Sequence, residues 1–296
     1  MGVPSPTCAE GSYPELMEYL ERRVGLVNDH LDALIESTEP DELADQLGDV
    51  VLAGGKRVRP AVTLLACEAL GGDPEAAVGF AAGIELVHNA SLVIDDIIDR
   101  SEIRRGTPSA WAAHGYGPAI IASDGLLGEA FGLFLDSDQA MQIVAESMVE
   151  LGEGEATELV DRPTTEEEYM TLARRKTGAL FRAAAELGAV AGEADGSTVE
   201  AFGEYAERVG IAFQIRDDVL DATADSGDLG KPAGQDEVMD RPSLVQITDL
   251  TPEEGDARAR EQSDLALEAL ERTGVDDTDA KAYLRDLAEF VVVRER

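Results

Sequence analysis

Two five-residue segments of this chain carry the same acidic spacing, Asp95-Asp96-Ile97-Ile98-Asp99 and Asp217-Asp218-Val219-Leu220-Asp221. Residues four apart on a helix share a face, so Asp95 with Asp99, and Asp217 with Asp221, point the same way. Oxygen-only ligands on one face suit Mg²⁺, which keeps some of its waters and shares phosphate oxygens with a substrate. Each segment closes an apolar stretch, residues 86–94 before the first and 211–215 before the second. Carboxylates ending a buried stretch are costly unless a cation neutralises them. Taken singly, each segment also reads as a solvated acidic helix end, so the basic residues carry the decision.

Those basic residues are few and oddly placed. Lysine occurs only at Lys56, Lys176, Lys231 and Lys281, and three of the four lie in glycine-containing loops or breaks. Counter-ions of an acidic surface would sit on helix faces instead. Lys56 and Arg59 stand three apart around a helix start, where unpaired N–H groups also favour anions. Arg104-Arg105-Gly106 follows the first acidic segment, Lys176-Thr177-Gly178 interrupts a helix, and Lys231 lies in Leu229-Gly230-Lys231-Pro232, with Arg241 beyond. Arginine forks and lysine point charges are the usual grips on a diphosphate. His30 and His114 have no partner spacing for a metal or a nucleophile and read as surface or packing residues, and Trp111 and the phenylalanines as core. The glycines between Gly125 and Gly132 form no nucleotide loop, because no strand precedes them.

The elements that must position these groups are helices. Apolar residues recur at helical spacing, while alternating β-branched runs are nearly absent. We expect helices over residues 13–37, 41–53, 61–70, 74–99, 118–135, 138–160, 165–192 and 198–221. A glycine-rich loop over 222–242, two closing helices and almost no strand complete the expectation. With 296 residues, 44% of them apolar, one domain spanning 1–296 is expected, its first dozen residues loose. No run reaches 18 uninterrupted apolar residues and no signal peptide is evident, so no membrane span is expected. Cys8 and Cys67 build no disulfide framework, which makes a cytoplasmic location the default. Against 24 Lys+Arg stand 61 Asp+Glu, a net charge of -37. That excludes nucleic acid as a partner and fits a salt-loving host, because in molar salt a Debye length of about 3 Å screens the self-repulsion.

Together these motifs resemble the trans-prenyltransferases of the polyprenyl synthetase (isoprenyl diphosphate synthase) family. GGKRVRP at 54–60, ELVHNASLVIDDIIDRSEIRRGTPSAW at 85–111, KTGAL at 176–180, FQIRDDVLD at 213–221 and LGKPAGQD at 229–236 arrive in the family's order. The resemblance implies the all-α isoprenoid synthase bundle around an apolar cavity, commonly a homodimer. It also implies Mg²⁺, three ions per site with Mn²⁺ able to substitute, held by Asp95, Asp99, Asp217 and Asp221 with Asp96 and Asp218 in support. Arg104 and Lys176 would join those six acids as catalytic residues. Arg104, Lys176, Thr177, Phe213, Gln214, Lys231 and Arg241 would bind the allylic diphosphate, and Lys56, Arg59, His88 and Arg105 isopentenyl diphosphate. Ile94 and Trp111 stand where the family often has histidine, and Arg241 where it has lysine. Small residues at Ala90 and Ser91, one turn before Asp95, imply a geranylgeranyl product, with a longer polyprenyl product or a non-catalytic partner subunit as alternatives. A terpene cyclase would not need the Lys56, Arg59 and Arg105 grip.

Overall fold

The apolar periodicity becomes helix over most of the chain. The computed structural model describes residues 12–223, 243–248 and 250–294. Along it run α1 (Ser12–Glu36), α2 (Asp41–Val51), α3 (Val58–Ala69), α4 (Pro74–Ile98), α5 (Ala110–His114), α6 (Tyr116–Phe134), α7 (Asp138–Val160) and α8 (Glu166–Ala173). A π-turn (Arg174–Gly178) leads into α9 (Ala179–Ala191), followed by α10 (Gly196–Thr223), α11 (Leu244–Thr248), α12 (Pro252–Arg272) and α13 (Asp279–Val293). The expected all-α class holds. Among the described residues the strands are β1 (Ile103–Arg104) and β2 (Thr107–Pro108), an antiparallel pair with Arg104 opposite Thr107.

Helix α4 lies at the centre, against α6, α3, α9 and α1, while α10 packs between α9 and α12. Caps set the helix starts. Asp73 accepts from the Glu75 N–H before α4, Ser137 from Ala140 before α7, and Thr251 forms a reciprocal capping box with Glu254 before α12. Among the described helices, α4 alone has the length and hydropathy a membrane span needs, and 61% of that stretch is buried inside the bundle.

Three local expectations change. Helix α3 begins at Val58, before Pro60, because the first turn has no intrahelical partner for its N–H groups and so tolerates proline. The interruption expected at 176–178 in the helix over 165–192 begins earlier, at Arg174, and is a π-turn. Trp111 is half-buried rather than core: its indole stacks on Tyr116 at 5.0 Å and donates to the Ser101 carbonyl at 2.9 Å. His114 is a surface residue, 2.9 Å from Asp49, and Cys67 is a buried free thiol. Cys8, Lys231, Arg241 and nearly all of the loop expected over 222–242 lie outside the described residues.

Candidate active site

Both acidic segments end long helices, the first closing α4 and the second the last turns of α10. Their four outer aspartates are half-buried, whereas the inner ones are enclosed. Asp96 receives Nε and Nη2 of Arg104, at 2.5–3.1 Å, from the β1–β2 hairpin. Asp218 accepts from the Tyr169 hydroxyl at 2.7 Å, the Leu244 N–H at 2.8 Å and the Gln214 amide at 3.0 Å. The inner acids therefore brace the helix ends and leave the outer pairs to face the site.

Lys176 links the two ends. In the π-turn an extra residue bulges from the helix, and Lys176 Nζ reaches Glu155 at 3.3 Å and Glu158, both on α7. Gly154 lets the π-turn backbone pack close against α7, since a Cβ there would lie 2.9 Å from the Lys176 backbone nitrogen. Burial pulls the Lys176 pKa down, but Glu158, Glu155 and Asp95 outweigh it and the ammonium is held charged. Glu155 is raised too, to about 7, by burial and the nearby charges of Asp95 and Glu158 against the pull of Lys176. The adjacent Thr177 hydroxyl donates to Gln214 at 2.8 Å, and Gln214 in turn to Asp218.

The basic residues converge on the other side. Arg105 donates to the Gly54 carbonyl, and a Cβ on Gly55 would meet its guanidinium carbon at 2.9 Å; Gly55 also has φ +132°. Arg57 is buried on Glu85 (2.6 Å), Asn28 and the Val51 carbonyl, and serves the fold while Lys56 and Arg59 flank it. Arg59 lies over the Phe181 ring at 4.6 Å with its Nε buried and unpartnered. Burial and Arg105 lower its pKa to about 10 against the pull of Glu85. Burial, then Arg59, Arg105, Arg104 and Arg57, hold His88 well below the ordinary imidazole range, so it is neutral. Of the four guanidiniums acting on this neutral histidine, Arg57 and Arg104 are paired with Glu85 and Asp96, and Arg59 and Arg105 leave positive charge that an anion would relieve. Lys56 also pulls on Asp217 through space, so direct bonds and charge effects together make a closed circuit of these motifs: 54–60 to Arg105 and Arg104 to Asp96 by direct bonds, Asp95 to Lys176 by charge, Thr177 through Gln214 to Asp218 by hydrogen bonds, and Asp217 back to Lys56 by charge.

Among the described residues no three His, Cys, Asp or Glu side chains stand close enough to cage a metal unaided. Paired carboxylates from two helix ends, completed by waters and phosphate oxygens, are nevertheless the donor set a hard divalent cation takes. Crowding by the protein holds Asp217 above the ordinary carboxylate range, against the pull of Arg294 and Lys56, so added positive charge there would be favourable. Of the remaining sequence candidates, Phe213 lies 6.1 Å from Phe181, ring to ring. Ala90 is buried, its carbonyl accepting from Ser123 of α6, and Ser91 donates to the His88 carbonyl.

Sequence reasoning missed Tyr169, Glu155, Glu158 and Arg294. Glu155 and Glu158 had a signal, two acids three apart on the helix before a break. Tyr169 and Arg294 had none, lying 49 and 77 residues from the aspartates they touch.

The polyprenyl synthetase family matches residues 40–287, a span that contains every motif of the circuit. The chain belongs to that family. It is accordingly a prenyltransferase, from a family that works with a divalent metal. A "short chain isoprenyl diphosphate synthase" of Methanothermobacter thermautotrophicus is 34% identical over 95% of this chain and 99% of its own length. A geranylgeranyl diphosphate synthase of Methanosarcina mazei is 37% identical, covering 78% of this chain and 75% of the relative. In structure, a decaprenyl diphosphate synthase from Rhodobacter capsulatus superposes with a TM-score of 0.86 at 30% identity, covering 96% of this chain and 99% of that one. The family's fold is thus shared across named products of different length.

Proposed function

We propose that this protein condenses isopentenyl diphosphate with an allylic diphosphate to give a short all-trans prenyl diphosphate, geranylgeranyl diphosphate being the main product. The closed circuit carries this reading, because it sets two diphosphate-sized demands side by side. On one side are outer aspartates with Lys176, and on the other an arginine cluster around His88. A terpene cyclase would need only the first, and a non-catalytic partner subunit has no reason to keep both aspartate segments.

Asp95, Asp99, Asp217 and Asp221 would hold the divalent ions, Mg²⁺ by the oxygen-only donor set. Bound metal would neutralise the diphosphate that leaves the allylic carbon. Lys176 and Arg104 add positive charge on the same side, and Lys56, Arg59 and Arg105 hold the second diphosphate. The allylic C–O bond breaks, the alkene carbon of isopentenyl diphosphate forms the new C–C bond, and a proton passes from the resulting cation to the departed diphosphate. Apolar helix faces keep water from intercepting it. Exposed apolar residues on α6, Ile120 and Ile121 with Leu135 just beyond, support a homodimer through that face. The net charge supports work in high salt.

The test is incubation with an allylic diphosphate, isopentenyl diphosphate and Mg²⁺, followed by product mass. A twenty-carbon main product that disappears with chelator is expected, and product formed without isopentenyl diphosphate would point to a cyclase. Ala90→Phe should shift the product toward fifteen carbons, since overpacking resists added chain atoms by about 1–3 kcal/mol. An unchanged distribution would place the floor of the cavity on another helix.

A further inference from the structure

The last helix ends in a residue that belongs to none of the motifs. Arg294 caps α13, beyond the 40–287 span that the family matches, and its side chain is 5% exposed. Its Nη2 pairs with Asp217 Oδ1 and donates to the Phe213 carbonyl at 3.3 Å, and its guanidinium lies 3.8 Å from the centre of the Phe213 ring. The backbone is held separately. Arg216, next to Asp217, donates Nε and Nη2 to the Arg294 carbonyl at 3.1 and 2.9 Å and pairs with Asp256 of α12. Arg294 Nε is buried without a partner, so the guanidinium is not fully satisfied where it lies.

We propose that Arg294 is a resident counter-cation for Asp217, occupying that carboxylate until divalent metal and diphosphate arrive and then giving it up. The inference rests on the prenyltransferase reading of Asp217. A metal ion and a guanidinium compete for the same carboxylate oxygen, and each must weaken the other's hold on it. Because Arg216 clamps the Arg294 backbone, the exchange needs only rotation of the Arg294 side chain. The pairing thus stabilises the empty site and opposes metal binding by the same amount.

This coupling separates a switching residue from a structural one. Melting temperatures would be measured for the wild type and Arg294→Gln, each alone and with saturating Mg²⁺ and inorganic diphosphate. The variant should melt about 2 °C lower than the wild type when empty. The two should coincide when loaded, and calorimetric Mg²⁺ affinity in the presence of diphosphate should be about fivefold higher in the variant. An equal deficit in both states, with unchanged affinity, would make Arg294 a structural residue and overturn the proposal. So would identical melting in the empty state. A wild type that neither binds nor is stabilised by Mg²⁺ and diphosphate would overturn the prenyltransferase reading itself, and the counter-cation role with it.

Discussion

The two aspartate segments share a spacing, a place at the end of a long helix and a half-buried outer pair. Their inner acids nevertheless survive burial by different means. Asp96 is neutralised by charge, from an arginine eight residues along the chain in a hairpin that follows directly. Among the described residues, Asp218 accepts from neutral donors on three elements, a tyrosine of α8, a glutamine of its own helix and a backbone N–H of α11. One solution is electrostatic and local, the other is hydrogen-bonded and assembled by the fold. A repeated motif therefore fixes what faces the substrate without fixing what holds it up.

The largest contrast should appear when each support is removed. Asp218→Ala strands a buried hydroxyl and a buried N–H, and should cost about 3 kcal/mol of stability in denaturant unfolding. Arg104→Ala leaves Asp96 charged and unpaired, but the arginine is 30% exposed, so about 2 kcal/mol is expected. The Arg104 cost should shrink in molar salt while that of Asp218 should not. Equal salt dependence would erase the distinction. Tyr169→Phe removes one neutral donor and should cost about 1 kcal/mol, again regardless of salt.

The smallest effect is one of pH. Glu155, beside the first segment, has a pKa raised from 4.5 to about 7 by burial, Asp95 and Glu158. Between those values the folded protein holds a proton that the unfolded chain has released, so stability from this group falls as pH rises through the window. Glu155→Gln should flatten that part of the profile, read as melting temperature in steps from pH 5 to 7. A slope identical to the wild type's would take Glu155 out of the first segment's electrostatics.

The same contrast explains what the sequence could reveal. Helix α7 was legible to its bounds, Asp138–Val160, because Ser137 caps it and Asp161-Arg162-Pro163 breaks it. The break at Lys176-Thr177-Gly178 was legible from its glycine, though not its form as a π-turn. Lys56, Arg59, Arg105 and Lys176 stood out because an acidic chain keeps cations in loops for a reason. Arg57, in the same run, looked no different, and only packing shows it buried on Glu85. Tyr169 and Arg294 carry no local pattern, since a buried tyrosine and a terminal arginine acquire partners only when distant helices meet.

The central claim is that both segments serve one metal–diphosphate site. Turnover of Asp95→Ala and Asp217→Ala, with helix content checked by circular dichroism, tests it most directly. Each variant should keep its helical signal and lose at least about a hundredfold in condensation of isopentenyl diphosphate with the allylic substrate. Wild-type turnover by either folded variant would show that its segment stands apart from the chemistry, and would contradict the account.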